Sequence, residues 1–297
     1  MGNLLFWFAE LVSSRAHLEQ GIALYDPERA RFEAARFGFQ DHSAACYSFL
    51  GRVLWHLGYP EQAKVVTKRS IANANDLGHP FTVANALSWA AALHQLCGDV
   101  ARTRELSETD LVFSRKQVIP FFTAHAMVLR GWALVMQGRG EEGVVQLEAG
   151  LAAYRATGSE TELSHWLGLM VEACRSTGKI EEGLRVVAQA LDLSKRTGAL
   201  YYEAELHRLE GELRLHAEPA DAPAAEMCFR RAMDIARKQQ AKSWELRTAI
   251  SYARLMREQG RAREAYDLLA PIYGWFTEGF DTLDLKEAKA LLDELAS

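Results

Sequence analysis

Gly138-Arg139-Gly140-Glu141-Glu142-Gly143 spells GxGxxG, the spacing that in a dinucleotide-binding turn lets backbone amides close on a pyrophosphate. That chemistry needs a strand before the first glycine and a helix start free of negative charge. Here a helical pattern precedes the glycine, and Glu141 and Glu142 would repel phosphate. Gly178-Lys179-Ile180-Glu181-Glu182-Gly183 stands 40 residues later in the same phase, so the string reads as a recurring turn. The nine histidines form no HExxH or H-x-H pair, and no GxSxG or Asp-rich pair occurs. Cys46, Cys97, Cys174 and Cys228 lie far apart with no CxxC, and read as small apolar core residues in a reducing compartment. No catalytic residue, metal ligand or cofactor site is predicted, and the chain reads as a non-enzyme.

The elements behind these turns repeat. Gly58, Gly98, Gly138 and Gly178 each end an apolar helical run, at a period of 40. Gly260 follows after 82 residues, two periods plus two. The surplus falls in HAEPADAP (216–223), whose two prolines mark a lengthened loop. A second series places small residues at Gly51, Ala91, Gly131, Gly211 and Ala253, with Val171 larger. Twelve residues on stand Ala63, Thr103, Gly143, Gly183 and Ala265, and Ala225 stands fourteen after Gly211. A third series closes the units at Gly78, Gly158 and Gly198, with Val118 and Ala241 in the equivalent places.

Each unit holds two helices. In 42–57, Cys46, Phe49, Leu50, Val53, Leu54 and Leu57 form one apolar stripe, and the partner over 60–77 buries Ala63, Val66, Ile71, Ala74 and Leu77. Ser159 with Glu162 reads as a capping box. No window alternates with period two. HLEQGIALY (17–25) echoes QLEAGLAAY (146–154), so a further unit with a longer loop (26–40) leads the series, and a short acidic helix near 284–295 caps it. The predicted fold is an all-α, right-handed helix-pair solenoid of about seven pairs plus a cap, in which each unit completes its neighbour's core. It forms one domain, 1–297, with units near 1–40, 41–78, 79–118, 119–158, 159–198, 199–241 and 242–279 and the cap at 280–297.

The small–twelve–small spacing resembles the tetratricopeptide repeat, lengthened from the usual period by about a turn per helix. ARKQQAKSWELRTAISYARLMREQGRAREAYDLLAPIYGWFTEGFDTLDLKEAKALLDEL (236–295) resembles the end of a bacterial family. In that family a nucleotide cyclase or other output domain precedes an AAA/STAND-type ATPase and a C-terminal tetratricopeptide array. HLEQGIALYDP, LGYPEQA, LGHPFT, LRGWAL and GLAAYRATG resemble the same array, so the likeness runs along essentially the whole chain. It implies an array excised from a larger signalling protein or a free-standing relative. No GxxxxGK[ST] is present, so any ATPase or cyclase activity would belong to a parent region absent here.

In such arrays the first helix of each pair lines a concave groove. Positions six before, three before, one after and four after each small residue are expected to face it. They give Arg52 and Trp55, then Asn85 and Gln95, His125 and Trp132, His165, Glu172 and Arg175, Glu205, Arg208 and Glu212, and Arg247, Arg254 and Arg257. Trp and Arg are enriched at binding hot spots. The row predicts a groove for a peptide, a partner domain or the parent's own ATPase, without the Lys and Asn pairs of a carboxylate clamp. A small-molecule effector sensor is the alternative, and self-association through Phe6, Trp7 and Phe8 a third reading.

The chain has 297 residues, 49% apolar and 25% charged, an ordinary composition for a folded protein, with net charge −5. That charge gives no sign of nucleic-acid or membrane partners. Locally, 230–263 carries ten basic residues against three acids, and 264–297 eight acids against Lys286 and Lys289, so the two stretches are expected to pack together and neutralise. The apolar start, MGNLLFWFAELV, is too short for a membrane span and lacks a signal peptide's basic lead, so a cytoplasmic location is expected.

Overall fold

A computed structural model describes residues 1–26, 42–217 and 220–296. These form fifteen α-helices, with no strand among the described residues. Helices α1 (Gly2–Trp7) and α2 (Leu11–Ala23) come first. Six pairs follow: α3 (His42–His56) with α4 (Pro60–Leu77), α5 (Pro80–Leu96) with α6 (Val100–Lys116), α7 (Pro120–Met136) with α8 (Gly140–Ala156), α9 (Leu163–Ser176) with α10 (Ile180–Thr197), α11 (Glu203–His216) with α12 (Ala222–Lys238), and α13 (Lys242–Glu258) with α14 (Ala262–Tyr273). Helix α15 (Leu283–Ala296) ends the series. The chain divides into two compact units, Met1–Trp55 with Pro60–Ser159, and His56–Tyr59 with Glu160–Ser297. No described helix is long and apolar enough to cross a membrane. The expected 26–40 loop lies, from residue 27, outside the described residues, as do Glu218 and Pro219 of the 216–223 loop.

The glycine series sets the turns. Gly58, Gly98, Gly138, Gly178 and Gly260 all take positive φ, between 72° and 90°, so the chain turns where a side chain would be strained. Between pairs the same conformation falls on Gly78, Gly158 and Gly198, on Val118 (φ 55°) and on Gln240 (φ 56°). The expectation of Ala241 is thereby corrected by one residue: Ala241 has φ −83° and N-caps α13. Val118 is β-branched, 81% exposed and held left-handed. Val118→Gly should therefore raise unfolding stability by about 1 kcal/mol, read in urea titration; no gain would show that the left-handed turn costs the valine nothing.

The second small series lets paired helices touch backbone to backbone. A Cβ built on Gly143 of α8 would stand 2.7 Å from Gly131 O and 2.7 Å from Val135 N of α7. One on Gly51 would stand 2.4 Å from Thr67 Oγ1. Each second helix buries one stripe in this phase: Ala63, Thr67, Ser70 and Ala74 in α4, Gly143, Leu147, Gly150 and Tyr154 in α8, and Gly183, Val187, Ala190 and Ser194 in α10. Val66, Ile71 and Leu77, expected inside, are only half-buried, because close approach selects the small residues beside them. The expected capping box at Ser159 and Glu162 precedes the helix by a turn, since Glu162 itself stands at the N-cap. Helix α9 starts at Leu163, Ser159 Oγ bonds the Tyr154 hydroxyl, and Glu162 accepts from Tyr201.

First helices are buried nearly all round. Thr82–Leu93 of α5 and Leu163–Val171 of α9 are buried without interruption, the pattern of a helix enclosed by neighbours. Successive first helices also pack on one another within each unit, α5 on α7 and α11 on α13.

Candidate partner-binding face

The predicted groove row divides by exposure. Arg52, Trp55, Asn85, Gln95, His125, Trp132, His165 and Arg208 are buried. Glu172, Arg175 and Arg247 are half-buried, and Arg254 is exposed. The expectation that the whole row faces a groove is corrected for the first eight and for Glu205, which is also buried, since enclosed first helices turn these positions inward.

In the first unit these groups serve the interior. The Arg52 guanidinium lies 4.4 Å from the Phe6 and Trp89 ring centroids and 5.4 Å from that of Trp7, a cation held by π faces. Ser48 donates to Asn85 Oδ1 at 3.2 Å. His125 packs against Trp89, Phe121, Phe122 and Tyr154, with Nδ1 3.2 Å from Ser88 Oγ. The self-association reading loses most of its surface: Phe6 is fully buried, Trp7 is half-buried, and only Phe8 is exposed. In the second unit His165 stacks on Tyr202 with ring centroids 4.3 Å apart.

A buried acid that the motif reading missed lies in α6. Asp110 accepts from Ser114 Oγ at 2.7 Å, and burial pushes its carboxyl up to about 8 against the opposing pull of the Ser114 and Ser88 hydroxyls. Its signal was the stripe phase. Asp110 occupies the position filled by Ser70, Gly150, Ala190, Ala232 and Ile272 in the other second helices. Among the described residues no group of three or more His, Cys, Asp or Glu side chains is placed to hold a metal.

Arg247 and Arg254 of the row belong to a ladder of ion pairs in the second unit. On α11, Arg208 grips Glu205 with two bonds of 2.8 and 2.7 Å and reaches Glu212 at 3.3 Å. On α13, Ser251 donates to Glu212 at 2.6 Å, and Arg247 lies 3.5 Å from Glu205. Arg247 also grips Asp284 of α15, with Nη2 at 2.7 Å and Nε at 3.1 Å from its oxygens. Arg254 bonds Glu287 at 2.7 Å, and Arg257 bonds Glu294. Burial works to raise the Glu212 carboxyl, but Arg208, the Ser251 hydroxyl, Arg175 and Arg254 hold it below its ordinary value. Burial likewise opposes the Arg247 charge, and Asp284 and Glu205 overcome it. The basic 230–263 stretch thus meets the acidic segment after it on α13 and α15, as the charge balance implied. At the outer rim Arg175, Glu212, Arg254 and Arg257 leave charge at the surface.

No family model matches the chain. An uncharacterized protein of Rhizobium meliloti (strain 1021) is 29% identical over 244 residues, 82% of this chain and 23% of the relative. The chain therefore spans about a quarter of the length of that curated relative. Among solved structures, the apo form of RapI aligns with a TM-score of 0.60 at 12% identity, covering 99% of this chain and 100% of that one. A Rap protein complexed with competence and sporulation factor aligns with a TM-score of 0.54 at 10% identity, covering 85% and 75%. At such identities the likeness is one of fold, and it agrees with the helix pairs and the small–twelve–small spacing: the chain is a tetratricopeptide-like helix-pair array.

Proposed function

We propose that residues 1–297 act as one non-catalytic interaction array, binding a protein or peptide partner along the charged rim of the second unit. We also read it as the regulatory C-terminal part of a larger cytoplasmic signalling ATPase or cyclase, whose own output domain is one candidate partner. The observation that carries the binding reading is the ladder across α11, α13 and α15. It sets acid, base and acid on adjacent helices, and at its edge Arg254 and Arg257, paired with Glu287 and Glu294, stay exposed beside half-buried Arg175. Arginine at the edge of an ordered, partly buried polar network suits a partner carboxylate. The complex of a Rap protein with competence and sporulation factor supports the view that an array of this fold can carry a partner.

The buried row is unsuitable for testing this, since Trp132→Ala or His125→Ala would open the core. The rim is suitable. Affinity capture with Arg175→Gln/Arg254→Gln/Arg257→Gln should lose a partner held by the unaltered chain at least tenfold, at unchanged helix content. Equal capture by a folded triple variant would remove the rim from the binding site.

A further inference from the structure

We propose that α15 is a displaceable occupant of the α13 face, and that the external partner this face takes is an acidic amphipathic helix in the same register. The inference rests on the interaction reading above and names its partner class. Helix α15 follows a nine-residue connection (274–282) and packs on α13 and α14. Its hold has two parts. Leu285, Ala288, Leu291 and Leu292 enter the cluster that includes Leu246, Ile250, Ala253 and Leu269. Asp284, Glu287 and Glu294 meet Arg247, Arg254 and Arg257, so carboxylates at i, i+3 and i+10 face guanidiniums at j, j+7 and j+10.

The same chemistry covers α13 on its other side. Glu205 and Glu212 of α11 face Arg247 and Ser251, so an acidic helix is how this fold covers the α13 face twice over. The two covers differ in firmness. Glu205 is fully buried and Glu212 mostly so; on α15 only Asp284, 17% exposed against Arg247, matches them, whereas Arg254 and Glu287 are 44% and 37% exposed, and Arg257 and Glu294 are 40% and 58% exposed. Exposed pairs hold weakly and are screened by salt, and a fourteen-residue helix is marginal outside its contacts. Helix α15 can thus be exchanged for a helix that repeats its pattern, carboxylates at i, i+3 and i+10 with Leu or Ala at i+1, i+4, i+7 and i+8. The chain's own cap then competes with the partner and sets its apparent affinity.

The test uses the full chain and a labelled synthetic peptide of residues 281–296, DTLDLKEAKALLDELA. Asp284→Lys/Glu287→Lys repels α15 from α13 and leaves the arginines in place. This variant should bind the peptide at least tenfold more tightly than the unaltered chain, less tightly as salt rises, and lose it when Arg254→Glu is added. In the unaltered chain, α15 amides should exchange hydrogen faster than those of α13, and faster still in salt. Equal peptide affinity in variant and unaltered chain overturns the proposal, and so does exchange of α15 only on global unfolding. If that happens while the rim variant still loses its captured partner, the interaction reading stands and only the helical partner falls.

Discussion

Asp110→Asn should raise the stability of the chain at pH 8 by about 3–5 kcal/mol and remove most of its dependence on pH between 5 and 8. Asp110 is fully buried, its carboxyl is raised from 3.8 to about 8, and no charged group contributes to the shift, which desolvation dominates. In the unfolded chain the acid ionises near 3.8; in the folded chain it stays neutral to about 8. Its contribution is therefore fully present below the unfolded value and is lost progressively as pH rises to the folded value, at about 1.4 kcal/mol per pH unit. Asparagine keeps an acceptor for the Ser114 hydroxyl and carries no ionisable proton. Urea unfolding of both chains from pH 5 to 8 checks this. Parallel pH profiles would show that Asp110 is ionised in the folded state.

Gly143→Ala should lower stability by about 2–3 kcal/mol even though alanine is the better helix former by about 1 kcal/mol. The new carbon would meet Val135 Cγ2 at 2.5 Å and two backbone atoms, Gly131 O and Val135 N, at 2.7 Å. A side-chain methyl can turn aside, but the backbone of α7 cannot move without parting from α8. Gly131→Ala meets Leu147 N at 2.8 Å and should act alike. Because both carbons push the same two helices apart, the double variant should lose less than the sum of the singles. Thermal unfolding of the three variants checks this, and a stabilising Gly143→Ala would mean the helices are not in backbone contact.

The parts of this fold written locally were legible in the sequence. Glycine turns need positive φ, and the small residues stand twelve apart because two backbones meet there, so both leave a periodic mark. The placement of Ala241 missed by one residue, although the period of 40 from Gly198 plus the two-residue surplus of the 216–223 loop leads to Gln240, where the left-handed turn stands. Burial of the groove row was not legible. Asn85 and His125 are polar and in phase, which suggests a wetted face, yet their partners Ser48 and Ser88 stand 37 residues before each of them, on other first helices. Pairings such as Arg247 with Asp284, also 37 apart, cannot be read residue by residue. Only their sum showed, as a basic stretch followed by an acidic one.

The most direct measurement is site-specific photo-crosslinking in the source cell, with the reactive side chain placed at Arg254 on the rim or at Glu148 on the exposed side of α8. Binding along the second unit predicts a discrete adduct with a second protein from position 254 and none from position 148. An adduct from 148 with none from 254 would contradict it, placing the partner on the exposed side of α8 and leaving the charged ladder a structural role.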